Sequence, residues 1–284
     1  MSSRPGLAVR LAAFVLAVGA PLVSGCGSGA AVTADSAEEA FARAQDALDR
    51  RRFDTAVELF RTALDFGRTG EVADDAQLGL ARAYVGTKQY LLAGAEFTRF
   101  IDLYRTDARV EDAAYERILA YAALSPTYEL DQTDTATAIQ YVDGFLSQYP
   151  AGEHAEEASA LRATLREKLA HKQFEEGRLY ERRDLYEAAV LSYRGLLATY
   201  PSSPYADDAL LGSLRAQVTL ADNSVPSRQE ARYREALRLY EQLTSLFPTS
   251  PTLVEGQTFY DRAYRGAASA AAATAALQAT APAQ

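Results

Sequence analysis

Few side chains in this 284-residue chain can bond covalently, hold a metal or move a proton near neutral pH: one cysteine, Cys26, and two histidines. His154 and His171 have no cysteine or carboxylate at the spacing that a metal site needs, so packing or surface roles are expected of them. Four acid pairs (Asp74-Asp75, Glu111-Asp112, Glu156-Glu157 and Asp207-Asp208) invite comparison with catalytic carboxylate dyads. They recur, however, at the starts of helical segments. There a negative charge gains about 0.3–1 kcal/mol from the helix dipole, and a device used repeatedly at helix starts is a cap. No G-x-S-x-G elbow and no phosphate-cradling glycine loop occurs, and no serine can be matched to a histidine. Neither an enzyme nor a metal or other cofactor is expected.

Cys26 carries a different chemistry. Arg4 and Arg10 precede an apolar run from Leu11 to Val23. That run is too short to span a bilayer and fits the apolar region of a secretory signal. It leads into Leu22-Val23-Ser24-Gly25-Cys26, which resembles the lipobox of bacterial lipoproteins. The resemblance implies cleavage before Cys26, then acylation of its thiol and of the new amino group; the alternative is an ordinary signal peptide beside a coincidental cysteine. A lone cysteine forms no internal disulfide, and lipid attachment accounts for it. Residues 1–25 are then a cleaved signal peptide and residues 26–35 a flexible tether of small residues. Each buried acyl methylene contributes about 0.8 kcal/mol, so more than one chain anchors stably. Loss of Arg4 and Arg10 takes the formal charge from −9 to −11. That argues against a nucleic-acid partner, which needs a basic face, and against an electrostatic membrane anchor.

The elements that position everything else are paired helices. From Phe174 to Tyr200, Phe174, Gly177 and Tyr180 share one helix face, and Tyr186, Ala189, Tyr193, Leu196 and Leu197 share another. Aromatic and small residues alternating at helical spacing mark two helices in close antiparallel contact, backbones approaching at Gly177 and Ala189. A charged joint, Glu181 to Asp184, is expected at the surface. The second helix recurs around Ala56, Ala93, Ala138, Ala189 and Ala236, followed by Phe60, Phe97, Val142, Tyr193 and Tyr240. A repeat of this length means a stacked solenoid. The pattern resembles the tetratricopeptide repeat (TPR), and implies an all-α, right-handed superhelical solenoid of about five helix pairs plus a C-terminal capping helix.

Taken in order, Ser36 and Glu39 form a capping box for a first helix over 36–50, closed by Arg50-Arg51-Arg52. Helices are expected over 53–66, 73–86 and 88–104. The third unit starts at Glu111 and carries an insertion, Leu124 to Asp131, before a helix over 134–149. The stretch 153–182 lacks proline and has one glycine, which predicts one long helix or two collinear ones. Ser203-Pro204 reads as an N-cap and first helical residue, with the helix ending near Leu220. Ser227 and Glu230 read as another capping box for 228–246. A closing helix covers 251–268, and the alanine-rich residues 269–284 are expected to fray. The divisions are thus 36–150 for units 1–3 and 151–268 for units 4–5 with the cap.

The joints repeat as well: Tyr149-Pro150 through Ala155-Glu156-Glu157-Ala158 matches Tyr200-Pro201 through Ala206-Asp207-Asp208-Ala209, and Ala73-Asp74-Asp75-Ala76-x-Leu78-Gly79 matches the latter. Tandem units joined by Y-P-x-S-x-Y-A-D-D-A behind a lipobox resemble the outer-membrane assembly lipoproteins, the BamD-like (YfiO) family, over residues 22–265. The resemblance implies a lipid-anchored protein on the periplasmic face of the outer membrane. It implies docking of the C-terminal units on the barrel-assembly protein (BamA-like), contact with other assembly lipoproteins, and unfolded barrel substrates at the N-terminal units. Two departures stand out: no proline follows the second helix of unit 1 (Asp65-Phe66-Gly67-Arg68) or of unit 2 (Tyr104-Arg105-Thr106). On TPR geometry, Phe41, Gln45, Leu78, Arg82, Tyr115 and Leu119 would line a concave groove for an extended peptide. The alternative client is the cell-division or peptidoglycan machinery.

Overall fold

The computed structural model describes residues 33–280, with side chains to residue 276. The signal segment, Cys26 and most of the tether lie outside the described residues. Eleven helices and no strand occur among those described: α1 (Ala37–Asp49), α2 (Phe53–Phe66), α3 (Ala73–Gly86), α4 (Tyr90–Leu103), α5 (Val110–Ala123), α6 (Thr133–Gln148), α7 (Ala155–Arg182), α8 (Tyr186–Thr199), α9 (Ala206–Asp222), α10 (Pro226–Leu246) and α11 (Thr252–Thr280). Each helix packs mainly on its chain neighbours. Beyond these, α1 touches α3, α5 touches α7, α7 touches α9 and α9 touches α11. First helices therefore stack on first helices, five pairs and a closing helix deep, in a TPR solenoid.

The repeating alanines are the tightest contacts: Ala56, Ala93, Ala138, Ala189 and Ala236 are all fully buried. Phe60, Phe97 and Tyr193, one turn on, are fully buried too. Glycines of neighbouring helices hold the rings. A Cβ on Gly177 would lie 2.5 Å from Tyr193 Cε1, and one on Gly212 2.7 Å from Cε2 of the same ring. Gly79 faces Phe60 in the same way one half of the molecule earlier, which is the physical content of the repeated Leu-Gly at 78–79 and 211–212.

Three of the turns inside pairs close identically. Arg51, Lys88 and Asp184 adopt positive φ near 57–60°. The next N–H reaches back to the carbonyl five residues earlier: Arg52 to Ala47 at 2.8 Å, Gln89 to Tyr84 and Leu185 to Tyr180 at 2.9 Å. This is the Schellman closure, usually built on glycine.

Several starts differ from the sequence expectation. Ser36 caps α1 by accepting from the Glu39 N–H at 3.1 Å, but Glu39 reciprocates to the Asp35 N–H at 3.0 Å rather than to Ser36 itself. Ser203 is not a helix cap. Its Oγ accepts from the Tyr205 N–H at 3.2 Å, which folds the joint into a turn before α9 starts at Ala206. Ser227 lies inside α10, because Pro226 occupies its first turn and Val225 is the N-cap. Glu181 is helical and only 14% exposed, so the charged joint is less open than its composition implies. The frayed tail expected from residue 269 is helix as far as Thr280. Within the stretch 153–182, residues 155–182 form one helix, α7, of 28 residues, about 42 Å long.

Candidate interaction surfaces

The six residues expected to line a groove separate. Leu78 is 2% exposed and belongs to the core of the first two units, so a bound peptide cannot touch it. The reason is that α3 is wrapped: nine of its residues are buried, on more than one face. Phe41 packs on that core, its ring 6.1 Å from Phe60. Gln45 donates to Asp49 within its own helix at 2.9 Å. Arg82 is held by a bidentate pair to Glu116 of α5, with bonds of 2.6–3.1 Å. Tyr115 is stacked on His154 at 4.2 Å. Leu119 is the one apolar member of the six that is well exposed, at 42%.

The structure brings together instead a ladder of polar contacts between successive first helices. Arg82–Glu116 joins α3 to α5. Arg215 of α9 holds Glu181 of α7 at 2.8 Å and reaches Glu255 of α11 at 3.1 Å. Tyr193 donates its hydroxyl to the same Glu181 carboxylate at 2.6 Å. Burial, then the bond to Glu181, pushes the Tyr193 phenol up, and the bond to Glu181 holds Arg215 charged.

The acid pairs sit in the first turns of α3, α5, α7 and α9, and three of them also latch one unit to the next. Arg109, the residue before α5, bonds Asp74 at 2.6 Å, Asp75 and Asp107. Its bond to Asp107 lowers that carboxyl to about 2. His154, the residue before α7, meets Asp112 at 3.2 Å. Ser250, two residues before α11, donates to Asp207 at 2.6 Å. Sequence reasoning missed Arg109 and His154 as latch residues, although both stand immediately before a helix, one repeat after an acid pair.

The insertion of unit 3 is strapped across α7. Lys168 Nζ donates to Ser125 Oγ at 2.6 Å, and Lys172 Nζ to the Leu130 carbonyl at 2.8 Å. Ser125, Thr135 and Gln132 continue this as a hydrogen-bonded chain of 2.7 and 2.8 Å. The His171 ring lies between Tyr128 of the strap, at 3.9 Å, and Tyr205 before α9, at 4.8 Å. Both histidines are thus packing residues on the seams of α7. No group of three or more His, Cys, Asp or Glu side chains among the described residues could hold a metal ion.

Open grooves lie between successive second helices, floored by the first helix between them. One of about 720 Å³ runs between α8 and α10 over Leu210, with Leu246 and Phe247 at its edge. Another, of about 540 Å³, lies over α7 between Asp143 and the Tyr200–Pro204 joint. A third, of about 370 Å³, lies between α2 and α4. None of the six groove candidates lines them, and no residue pattern in the sequence marks them out.

Comparison with known proteins places this geometry. A family model named YfiO, described as an outer membrane lipoprotein, matches residues 33–229. The chain is 25% identical over 186 residues to a protein of Caulobacter vibrioides named outer membrane protein assembly factor BamD, covering 66% of this chain and 61% of that one, so the match spans about three fifths of the relative's length. It is 27% identical over 214 residues to the Vibrio cholerae protein of the same name, covering 71% of this chain and 89% of the relative. Among solved structures, a TPR repeats protein of Bacteroides fragilis is similar at 14% identity with a TM-score of 0.46, over 82% of this chain and 99% of that one. No helix among the described residues is long and apolar enough to cross a membrane.

Proposed function

Because the chain belongs to the YfiO family of outer membrane lipoproteins, we propose that it is a non-enzymatic scaffold in outer-membrane protein assembly. A lipid on Cys26 holds it at the periplasmic face of the outer membrane. Units 4–5 dock on the periplasmic domains of the barrel-assembly outer-membrane protein, beside other assembly lipoproteins, and units 1–2 meet unfolded barrel substrates. The carrying observation is the family match over 33–229, which covers the first four units and α9. The contact ladder supports the reading. Paired charges and stacked rings at the seams from unit 2 onward hold the curvature of the solenoid, which suits a part that presents surfaces to other proteins.

The test is affinity capture of the tagged full-length protein from detergent-solubilised membranes. Recovery of an integral β-barrel protein with periplasmic domains supports the scaffold. Recovery of wall-synthesis or division proteins without such a barrel would replace it with the other envelope reading. Mass analysis of the mature N-terminal peptide checks acylation of Cys26.

A further inference from the structure

The two proline-free joints form a single structural feature. The second helices of the five units end at Phe66, Leu103, Gln148, Thr199 and Leu246. In units 1 and 2 that last residue is a large apolar side chain left in solvent, Phe66 at 52% and Leu103 at 56% exposure. An exposed arginine follows two residues later in each, Arg68 and Arg105. Neither guanidinium makes an ion pair among the described residues, and Arg105 Nε donates only to the Asp102 carbonyl, at 3.2 Å. In units 3 and 4 the corresponding residues are polar and are followed by Tyr-Pro. Leu246 of unit 5 is exposed at 64%, but it is followed by Phe247-Pro248 and no arginine. The two joints lie side by side, since the Tyr104 hydroxyl donates to the Arg68 carbonyl at 3.0 Å.

They also lie at the tethered end. Phe41 in the first turns of α1 meets Phe60 in the second half of α2, so the start of α1 and the end of α2 share one edge. Arg43 holds the Thr33 carbonyl at that edge, at 2.7 Å. Six residues separate Cys26 from Thr33, and the seven peptide steps span at most about 25 Å.

We propose that this pair of joints rests on the bilayer. Phe66 and Leu103 enter the boundary between headgroups and acyl chains, while Arg68 and Arg105 bond lipid phosphates. The chemistry matches that of interfacial segments, which bury apolar side chains about 5–10 Å deep beside cations, and guanidinium–phosphate pairing is strong and directional. The acidic whole chain is not drawn to a membrane by its charge, and Asp65 and Asp102, each one residue before the apolar side chain, keep the joints at headgroup depth. The docking orients a solenoid that the acyl anchor merely retains. It rests on the proposed lipid anchor at Cys26.

The chain has no tryptophan, so one introduced residue reports alone. Phe66→Trp, Leu103→Trp and Leu246→Trp are made separately in the full acylated protein. Each is reconstituted on phosphatidylethanolamine–phosphatidylglycerol vesicles, with or without lipid brominated near the top of the acyl chain. Expected are a blue-shifted emission and several-fold bromine quenching at positions 66 and 103, little at 246, and weaker quenching of Leu103→Trp when Arg68→Glu and Arg105→Glu are added. Protein that floats with the vesicles but is unquenched at 66 and 103, or equally quenched at 246, overturns the docking alone. Protein that fails to float loses the anchor and the docking together.

Discussion

Alanine in place of glycine inside a helix normally gains about 1 kcal/mol, because it restricts the unfolded chain and improves helix propensity. Gly177 and Gly212 should reverse that sign. Tyr193 is fully buried, with Gly177 of α7 against one edge of its ring and Gly212 of α9 against the other. A methyl at Gly177 would sit 2.5 Å from Cε1; one at Gly212 would sit 2.7 Å from Cε2 and Cζ and 3.1 Å from the hydroxyl. The ring cannot slide away from either, since the opposite glycine blocks it and its hydroxyl is bonded to Glu181. Overpacking of this kind costs about 1–3 kcal/mol, which after the propensity gain leaves a net loss of up to about 2 kcal/mol for either substitution. Gly144 in α6 is the control: a Cβ there meets nothing within 4 Å, and Gly144→Ala should stabilise by about 0.5–1 kcal/mol. Urea unfolding followed by far-ultraviolet circular dichroism reads all three; the first two midpoints should fall by roughly half a molar. Adding Tyr193→Leu to Gly212→Ala should recover part of the overpacking term relative to Tyr193→Leu alone. If Gly177→Ala and Gly212→Ala were as stable as the parent, or more so, the ring would not be clamped as described.

Three further outcomes follow from the same geometry. Lys88 is exposed with φ 60°, and relief of the left-handed strain should make Lys88→Gly about 1 kcal/mol more stable, seen as a raised urea midpoint. Asp107 is depressed to about 2 by Arg109. Its contribution is present above the unfolded value near 3.8 and is lost as pH falls towards 2. The parent should therefore lose up to about 1–2 kcal/mol more than Arg109→Met between pH 4 and 2, after allowance for screening at this partly exposed cluster; acid titration of both by circular dichroism checks it. Lys168→Met with Lys172→Met should free the strap, so that a glutamate-specific protease cuts after Glu129 severalfold faster than in the parent while the helical content is unchanged.

The second helices were legible because one periodic face carries their packing: each repeating alanine names a contact. The acid pairs were legible as helix starts for the same local reason, and the long α7 because nothing interrupts it. The groove was not. A first helix in this solenoid is enclosed by its own partner, by the preceding pair and by the next first helix, so Leu78 can be apolar on a face that the two-helix picture leaves open. Helix starts at Ser203 and Ser227 were misplaced because serine beside proline serves equally as a cap or as a turn one step away, and at Ser203 the choice depends on where Tyr205 must sit against His171 and Phe174 of α7. Arg109 and Glu181 were invisible as latches because each is an ordinary charge until its partner, about one repeat distant in sequence, is placed beside it.

The long helix has a mechanical consequence. Stacked repeats generally loosen one at a time from an end, because each answers only to its neighbours. Here a single rod supplies Ala158 and Leu165 to one apolar cluster and Phe174 to the next. Neither cluster can dissolve without dismantling a helix that the other requires, so the middle of the molecule yields as one block.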